Sequence, residues 1–150
     1  MLLSVIVPCY NEEENISDFY TALTDSLGTV LSERSLEMEL IYVDDGSTDR
    51  TAERVKALTD MDSRVRLLSF SRNFGKESAI YAGLENAAGD LLVIMDSDLQ
   101  DPPVLLPDML SGILDEGYDS VATRRVNRKG EPPIRSFFAR RFYSLINRIS

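Results

Sequence analysis

The chain has 150 residues, 43% of them apolar, which suits one compact domain with a real core. It carries one cysteine and no histidine, so an internal disulfide and an imidazole-ligated zinc site are excluded, and Cys9 has no histidine to activate it as a nucleophile. The net charge is −9, and no apolar run approaches the roughly 20 residues that span a bilayer.

The chain alternates strand and helix patterns. Leu2 to Val7 reads as a strand stopped by Pro8. Asn11 is placed to cap a helix, with Glu14 completing a capping box, and Ile16, Phe19, Tyr20, Leu23 and Leu27 recur at helical spacing. Met38 to Val43 is the second strand, ending in Asp44-Asp45-Gly46-Ser47. Ser47 then caps a helix bearing Ala52, Val55 and Leu58. Val65 to Phe70 is the third strand, and Lys76 to Ala87 the next helix, closed by Gly89. Leu91 to Met95 is the fourth strand. Pro102-Pro103 opens a helix with Leu106, Met109, Leu110, Ile113 and Leu114, ended by Gly117, and Ser120 to Thr123 is a short fifth strand.

This alternation predicts an α/β fold with a doubly wound, mostly parallel sheet flanked by helices. Ligands bind such sheets at the carboxyl ends of the strands, where the strand order reverses. The polar clusters fall at those ends: Pro8 to Glu12, Asp44 to Ser47, Ser71 to Asn73, and Asp96 to Asp98. One shared site is therefore expected.

The most telling cluster is Asp96-Ser97-Asp98-Leu99-Gln100-Asp101-Pro102-Pro103, placed directly after a buried strand. Asp after a strand is common as a turn former or helix cap. A D-x-D step can also aim two hard oxygen ligands at one divalent cation, and Gln100 can add an amide oxygen of the kind Mg²⁺ and Mn²⁺ accept. Such a cation commonly holds a nucleotide diphosphate. Tyr10 is suited to stack on a base, and Glu12, Asp44 or Asp45 to accept hydrogen bonds from base or ribose, while Asp44 also reads as a turn residue before Gly46. No Walker A string and no G-x-G-x-x-G is present, which disfavours P-loop and dinucleotide readings.

Residues 1–123 carry eight basic and 24 acidic side chains, a net −16, whereas residues 124–150 carry eight basic side chains against Glu131 alone, a net +7. The tail is thus suited to meet something anionic. Gly130 to Pro133 reads as a linker. Ile134, Phe137, Phe138, Phe142, Leu145, Ile146 and Ile149 then mark one helical face flanked by arginines. That pattern suits an anionic membrane surface, or an ordinary helix packed on the sheet.

Three strings together resemble family 2 glycosyltransferases of the GT-A fold: Ser4 to Glu12, Val43 to Asp49, and Asp96 to Pro103. Arg72-Asn73-Phe74-Gly75-Lys76-Glu77 is similar to the polyprenyl-phosphate subgroup, which contains dolichol-phosphate mannose synthases and bactoprenol glucosyl transferases. The resemblance covers nearly the whole chain. It implies that Pro8, Tyr10, Asn11, Glu12 and Asp45, with Asp44 beside them, hold the nucleotide of a UDP- or GDP-sugar donor. It implies that Asp96, Asp98 and Gln100 hold Mg²⁺ or Mn²⁺, and that Arg124, Arg125 and Arg135 meet the phosphate of a polyprenyl phosphate acceptor. Asp96 then serves both nucleotide and metal, and Asp101 is the residue that can act as a base if the acceptor is a saccharide hydroxyl. The reaction expected is an inverting transfer of a hexose. Residues 1–123 are expected to form the catalytic domain and 124–150 a basic linker and membrane-interface helix.

Family members usually continue into transmembrane helices, so the chain reads as a catalytic-domain fragment of a protein anchored at the cytoplasmic face of the membrane. The N-terminus lacks a basic leader and cleavage site, so no signal peptide is expected. Left exposed, the Phe-rich helix would favour self-association of such a fragment, though the sequence does not set the oligomeric state, and a nucleic-acid partner is not expected.

Overall fold

The computed structural model describes residues 1–123. Four strands form one parallel sheet in the order β3-β2-β1-β4: β1 (Leu2–Cys9), β2 (Glu37–Asp44), β3 (Val65–Ser69) and β4 (Leu91–Ile94). They are joined by helices α1 (Ile16–Glu33), α2 (Thr51–Met61) and α3 (Lys76–Asn86). A 3₁₀ turn, Pro103–Leu105, leads into α4 (Leu106–Leu114). The expected doubly wound α/β architecture is present.

The central strands are apolar on both faces because helices cover both. Leu3, Val5, Val7 and Cys9 of β1 and Met38, Leu40 and Tyr42 of β2 join Ile16, Phe19, Leu23 and Leu27 of α1 in one core cluster. The alternate residues Ile6, Ile41 and Val43 pack with Ala79 of α3 on the other face. This is the continuous apolar pattern of a buried parallel strand rather than one-sided alternation. Gly83 lets α3 approach β1 closely, since a Cβ there would lie 2.3 Å from Ile6 Cγ2.

The chain steps outward from β1 to β2 to β3, then returns through α3 to place β4 on the other side of β1. The order reverses between β1 and β4, so a crevice opens at their carboxyl ends.

Four local expectations are corrected. Asn11 does not cap α1. It sits at φ 56°, and its Oδ1 instead accepts from Thr48 N at 2.9 Å. α1 begins only at Ile16, after Asn15, without a side-chain cap. Ser47 does not cap α2 either, because its Oγ accepts from Asn11 N at 2.9 Å and the helix starts at Thr51. Both side chains are used to tie two loops together, which an N-cap reading from one segment cannot see. Gly89 does not close α3 but passes against β1, where a Cβ would meet Ser4 Oγ at 2.5 Å. Finally, Ser120 to Thr123 is not a strand. This segment lies beside β4 across an apolar cavity instead of pairing with it.

Candidate functional site

The loops after β1 and β2 are laced together by side chains that accept from backbone. Glu12 N donates to Thr51 Oγ1 at 2.8 Å, and Glu13 N to Asp49 Oδ2 at 3.1 Å. Burial raises the pKa of Asp49, but hydrogen bonds from the Thr51 hydroxyl, Thr51 N and Glu13 N outweigh it and hold the carboxyl below its ordinary value. The wall of the crevice is thereby fixed before any ligand arrives.

Asp44 and Asp45 are both buried but aim differently. Asp44 Oδ1 accepts from Ser47 N at 3.0 Å and Oδ2 from the Ser69 hydroxyl at 2.9 Å, so it stitches β2 to its turn and to β3. Asp45 Oδ1 accepts from Phe74 N at 2.7 Å and Oδ2 from Gly75 N at 3.0 Å. It thus positions the loop that leads into α3. Gly46, at φ +69°, packs under that same loop, where a Cβ would lie 2.3 Å from the carbonyl carbon of Arg72. Arg72 in turn lies over the ring of Phe74, 4.7 Å from its centroid, and Phe74 meets Phe70 edge to face.

A cavity of about 440 Å³ occupies the crevice. Pro8 lines it from the end of β1, Tyr10 and Glu12 from the loop that follows, Asp45 from the residue after β2, Asn73, Gly75 and Lys76 from the start of α3 and the loop before it, and Asp96, Ser97 and Asp98 from the loop after β4. Six of the residues expected at the donor site, Pro8, Tyr10, Glu12, Asp45, Asp96 and Asp98, are brought together here. Asn11, Asp44 and Gln100 do not line the cavity. Asn11 and Asp44 brace its walls through the bonds just described. Asp101 lines an adjoining cavity of about 150 Å³ that shares Asp96. Arg124, Arg125 and Arg135, and the helix expected over residues 134–149, lie outside the described residues.

The D-x-D segment turns sharply. Leu99 stands at φ 57°, a left-handed conformation that a leucine adopts only under constraint. Asp98 Oδ1 accepts from Gln100 N at 3.0 Å, closing an Asx turn around it. Cys9 also borders the cavity. Burial, reinforced by the charges of Asp44 and Glu12, pushes its thiol well above the usual range, which disfavours the thiolate that a nucleophile needs.

Lys76 was not expected at the site. Its ammonium contacts both oxygens of Asp96, at 2.6 and 2.7 Å. The signal that could have found it is positional: Lys76 opens the helix after β3, at the carboxyl end of the sheet, but only the strand order places that helix beside the end of β4.

The residues present fit a divalent cation. Asp96 already attracts a cation, the Lys76 ammonium, and Asp98 faces the same cavity. Among the described residues no group of three or more His, Cys, Asp or Glu is arranged to hold a metal. A cation here must therefore take further oxygens from its ligand or from water, which is the habit of Mg²⁺ and Mn²⁺ at phosphate sites.

Comparison with known proteins places the chain among glycosyltransferases. The chain is 38% identical over 150 residues to the bactoprenol glucosyl transferase of Shigella phage SfV, an alignment covering 100% of this chain and 47% of that protein. It is 40% identical over 144 residues to YkcC, an uncharacterized glycosyltransferase of Bacillus subtilis, covering 96% and 43%. Among solved structures it resembles the mannosyltransferase PcManGT from Pyrobaculum calidifontis in complex with GDP-Man and Mn²⁺, with 26% identity and a TM-score of 0.63 over 75% of this chain and 32% of that one. The chain thus spans about half the length, or less, of the proteins it matches. The family model described as Glycosyl transferase family 2 matches residues 4–148, and the chain belongs to that family.

Proposed function

We propose that this chain is the donor-binding part of a glycosyltransferase that moves a hexose from a UDP- or GDP-sugar to a polyprenyl phosphate at the inner face of a membrane. The observation that carries the donor half is the cavity at the β1/β4 switch point, which Asp96 and Asp98 line together with Tyr10, Glu12 and Asp45. Support for the acceptor half comes from the bactoprenol glucosyl transferase at 38% identity. The basic 124–150 segment, at net +7, favours an anionic surface.

In this reading Tyr10 offers a face to the base, and Glu12 and Asp45 offer acceptors to base or ribose hydroxyls. Each Asp45 oxygen already takes one backbone N–H and keeps a second lone pair. Asp96 and Asp98 are the residues that would hold Mg²⁺ or Mn²⁺, which when bound would neutralise the diphosphate beside these carboxylates. At the sugar, an acceptor phosphate oxygen forms a bond to the anomeric carbon from the side opposite the nucleotide. The bond from that carbon to the diphosphate breaks, and configuration inverts. A phosphate monoester has a second pKa of about 6, so it is already an effective nucleophile at neutral pH. No general base is required, in keeping with a chain that contains no histidine.

The test uses the full-length protein in vesicles with polyprenyl phosphate and radiolabelled UDP- or GDP-hexose. One donor is expected to label the lipid, with the anomeric configuration inverted. Asp98→Ala is expected to lower the rate by about a thousandfold, the scale of losing electrostatic stabilisation at a developing charge. An enzyme that labels saccharide hydroxyls and never lipid would overturn the acceptor assignment.

A further inference from the structure

Lys76 has a contact that conflicts with the donor-site reading unless it moves. Its ammonium chelates Asp96 across both carboxylate oxygens. A carboxylate held in that way cannot also present both oxygens to a divalent cation. The two side chains are 54% and 41% exposed, a class of ion pair that solvent weakens and that exchanges partners readily. The backbone beneath Lys76 is fixed by contrast. Asp45 anchors Phe74 N and Gly75 N, Gly75 turns at φ +100°, and Ala79, one turn further, is fully buried. The flexible four-carbon stem of Lys76 is half exposed and borders the cavity.

The charges lining the cavity say why a lysine is useful there. Glu12, Asp45, Asp96 and Asp98 all face it, and Lys76 is the one cation among its described lining residues. Without a ligand the ammonium offsets repulsion between carboxylates. A divalent cation on Asp96 would repel it, and the oxygens of a bound diphosphate would offer it other acceptors.

We propose that Lys76 is a charge placeholder: it occupies Asp96 until a nucleoside diphosphate arrives with its divalent cation, then transfers to the diphosphate. The proposal rests on the donor-site reading above. It makes Lys76 a positioning residue that competes with a bare cation and cooperates with a cation–nucleotide pair. Cation and nucleotide therefore tighten each other's binding by one shared factor.

The test reads Mn²⁺ affinity from the electron paramagnetic resonance signal of unbound Mn²⁺, without nucleotide and with UDP or GDP. It compares the chain with Lys76→Met, Lys76→Arg and Asp98→Ala, each checked for folding by circular dichroism. Lys76→Met is expected to bind Mn²⁺ alone about two- to fivefold more tightly, the scale of an exposed ion pair removed. The factor by which nucleotide tightens Mn²⁺ is expected to fall about tenfold, as a charged hydrogen bond to phosphate is lost. Lys76→Arg, which keeps the charge, is expected to retain most of that factor. Mn²⁺ binding to Lys76→Met that is unchanged or weaker in the absence of nucleotide overturns the proposal. If the parent chain binds Mn²⁺ with neither nucleotide, the donor-site reading falls and the Lys76 proposal with it. If the parent binds, Asp98→Ala does not, and Lys76→Met equals the parent, only the Lys76 proposal falls.

Discussion

Two adjacent carboxylates show how finely the site divides its work. The partners of Asp45 are both backbone N–H groups, which can only donate. In Asp45→Asn one of them must face an amide NH₂, so one donor is left unsatisfied at a buried position. A loss of about 1–3 kcal/mol is expected by urea unfolding, with weaker nucleotide binding as the Phe74–Gly75 loop relaxes. Asp44 has one backbone partner and one hydroxyl, Ser69, which can reverse its bond and accept from the new amide. Asp44→Asn is therefore expected to cost less than about 1 kcal/mol and to leave nucleotide affinity largely intact. Comparable losses in the two variants would contradict this division. The sequence shows the Asp-Asp pair and its place after a strand, but not which carboxylate faces the cavity, because the partners lie about 30 residues away on the approach to α3. Lys76 was hidden for the same reason. The placement of Asp96 and Asp98 at the crevice was legible because motif and strand end are adjacent in the chain.

At the scale of elements, the strands β1 to β4 and the helices between them were readable from apolar runs and helical spacing, since burial on two faces writes a strong local pattern. The starts of α1 and α2 were not. Asn11 and Ser47 have the chemistry of caps, yet each spends its side chain on the other's loop. The fifth strand failed because pairing is a property of two segments and not of one. Gly46 is where element packing meets the site. Its φ of +69° disfavours a side chain, and a Cβ would meet Arg72 C, Arg72 Cα and Asn73 N at 2.3, 2.6 and 2.7 Å. All three are backbone atoms, which cannot swing aside. Gly46→Ala is expected to lower stability by at least about 2 kcal/mol and to displace the Arg72–Gly75 loop, weakening nucleotide binding. A variant with the parent's unfolding midpoint and affinity would show that this packing does not position the site.

At the scale of the molecule, the sheet order β3-β2-β1-β4 gathers four segments, from residue 8 to residue 98, at one crevice. That convergence gathers scattered acidic residues into the proposed donor site, where a cation would reconcile a body of net −16 with an anionic diphosphate. Among the described residues no helix is long and apolar enough to cross a membrane. The membrane role is accordingly proposed from the basic segment and from the relatives, of which the chain spans about half. The central claim is that this crevice binds a nucleoside diphosphate together with a divalent cation. Calorimetric titration of UDP and GDP, each with and without Mn²⁺, into the chain and into Asp98→Ala tests it most directly. The expected result is Mn²⁺-dependent binding of one nucleotide, lost in the variant. Binding of neither nucleotide to a folded chain, or binding indifferent to Mn²⁺ and to Asp98, would contradict it.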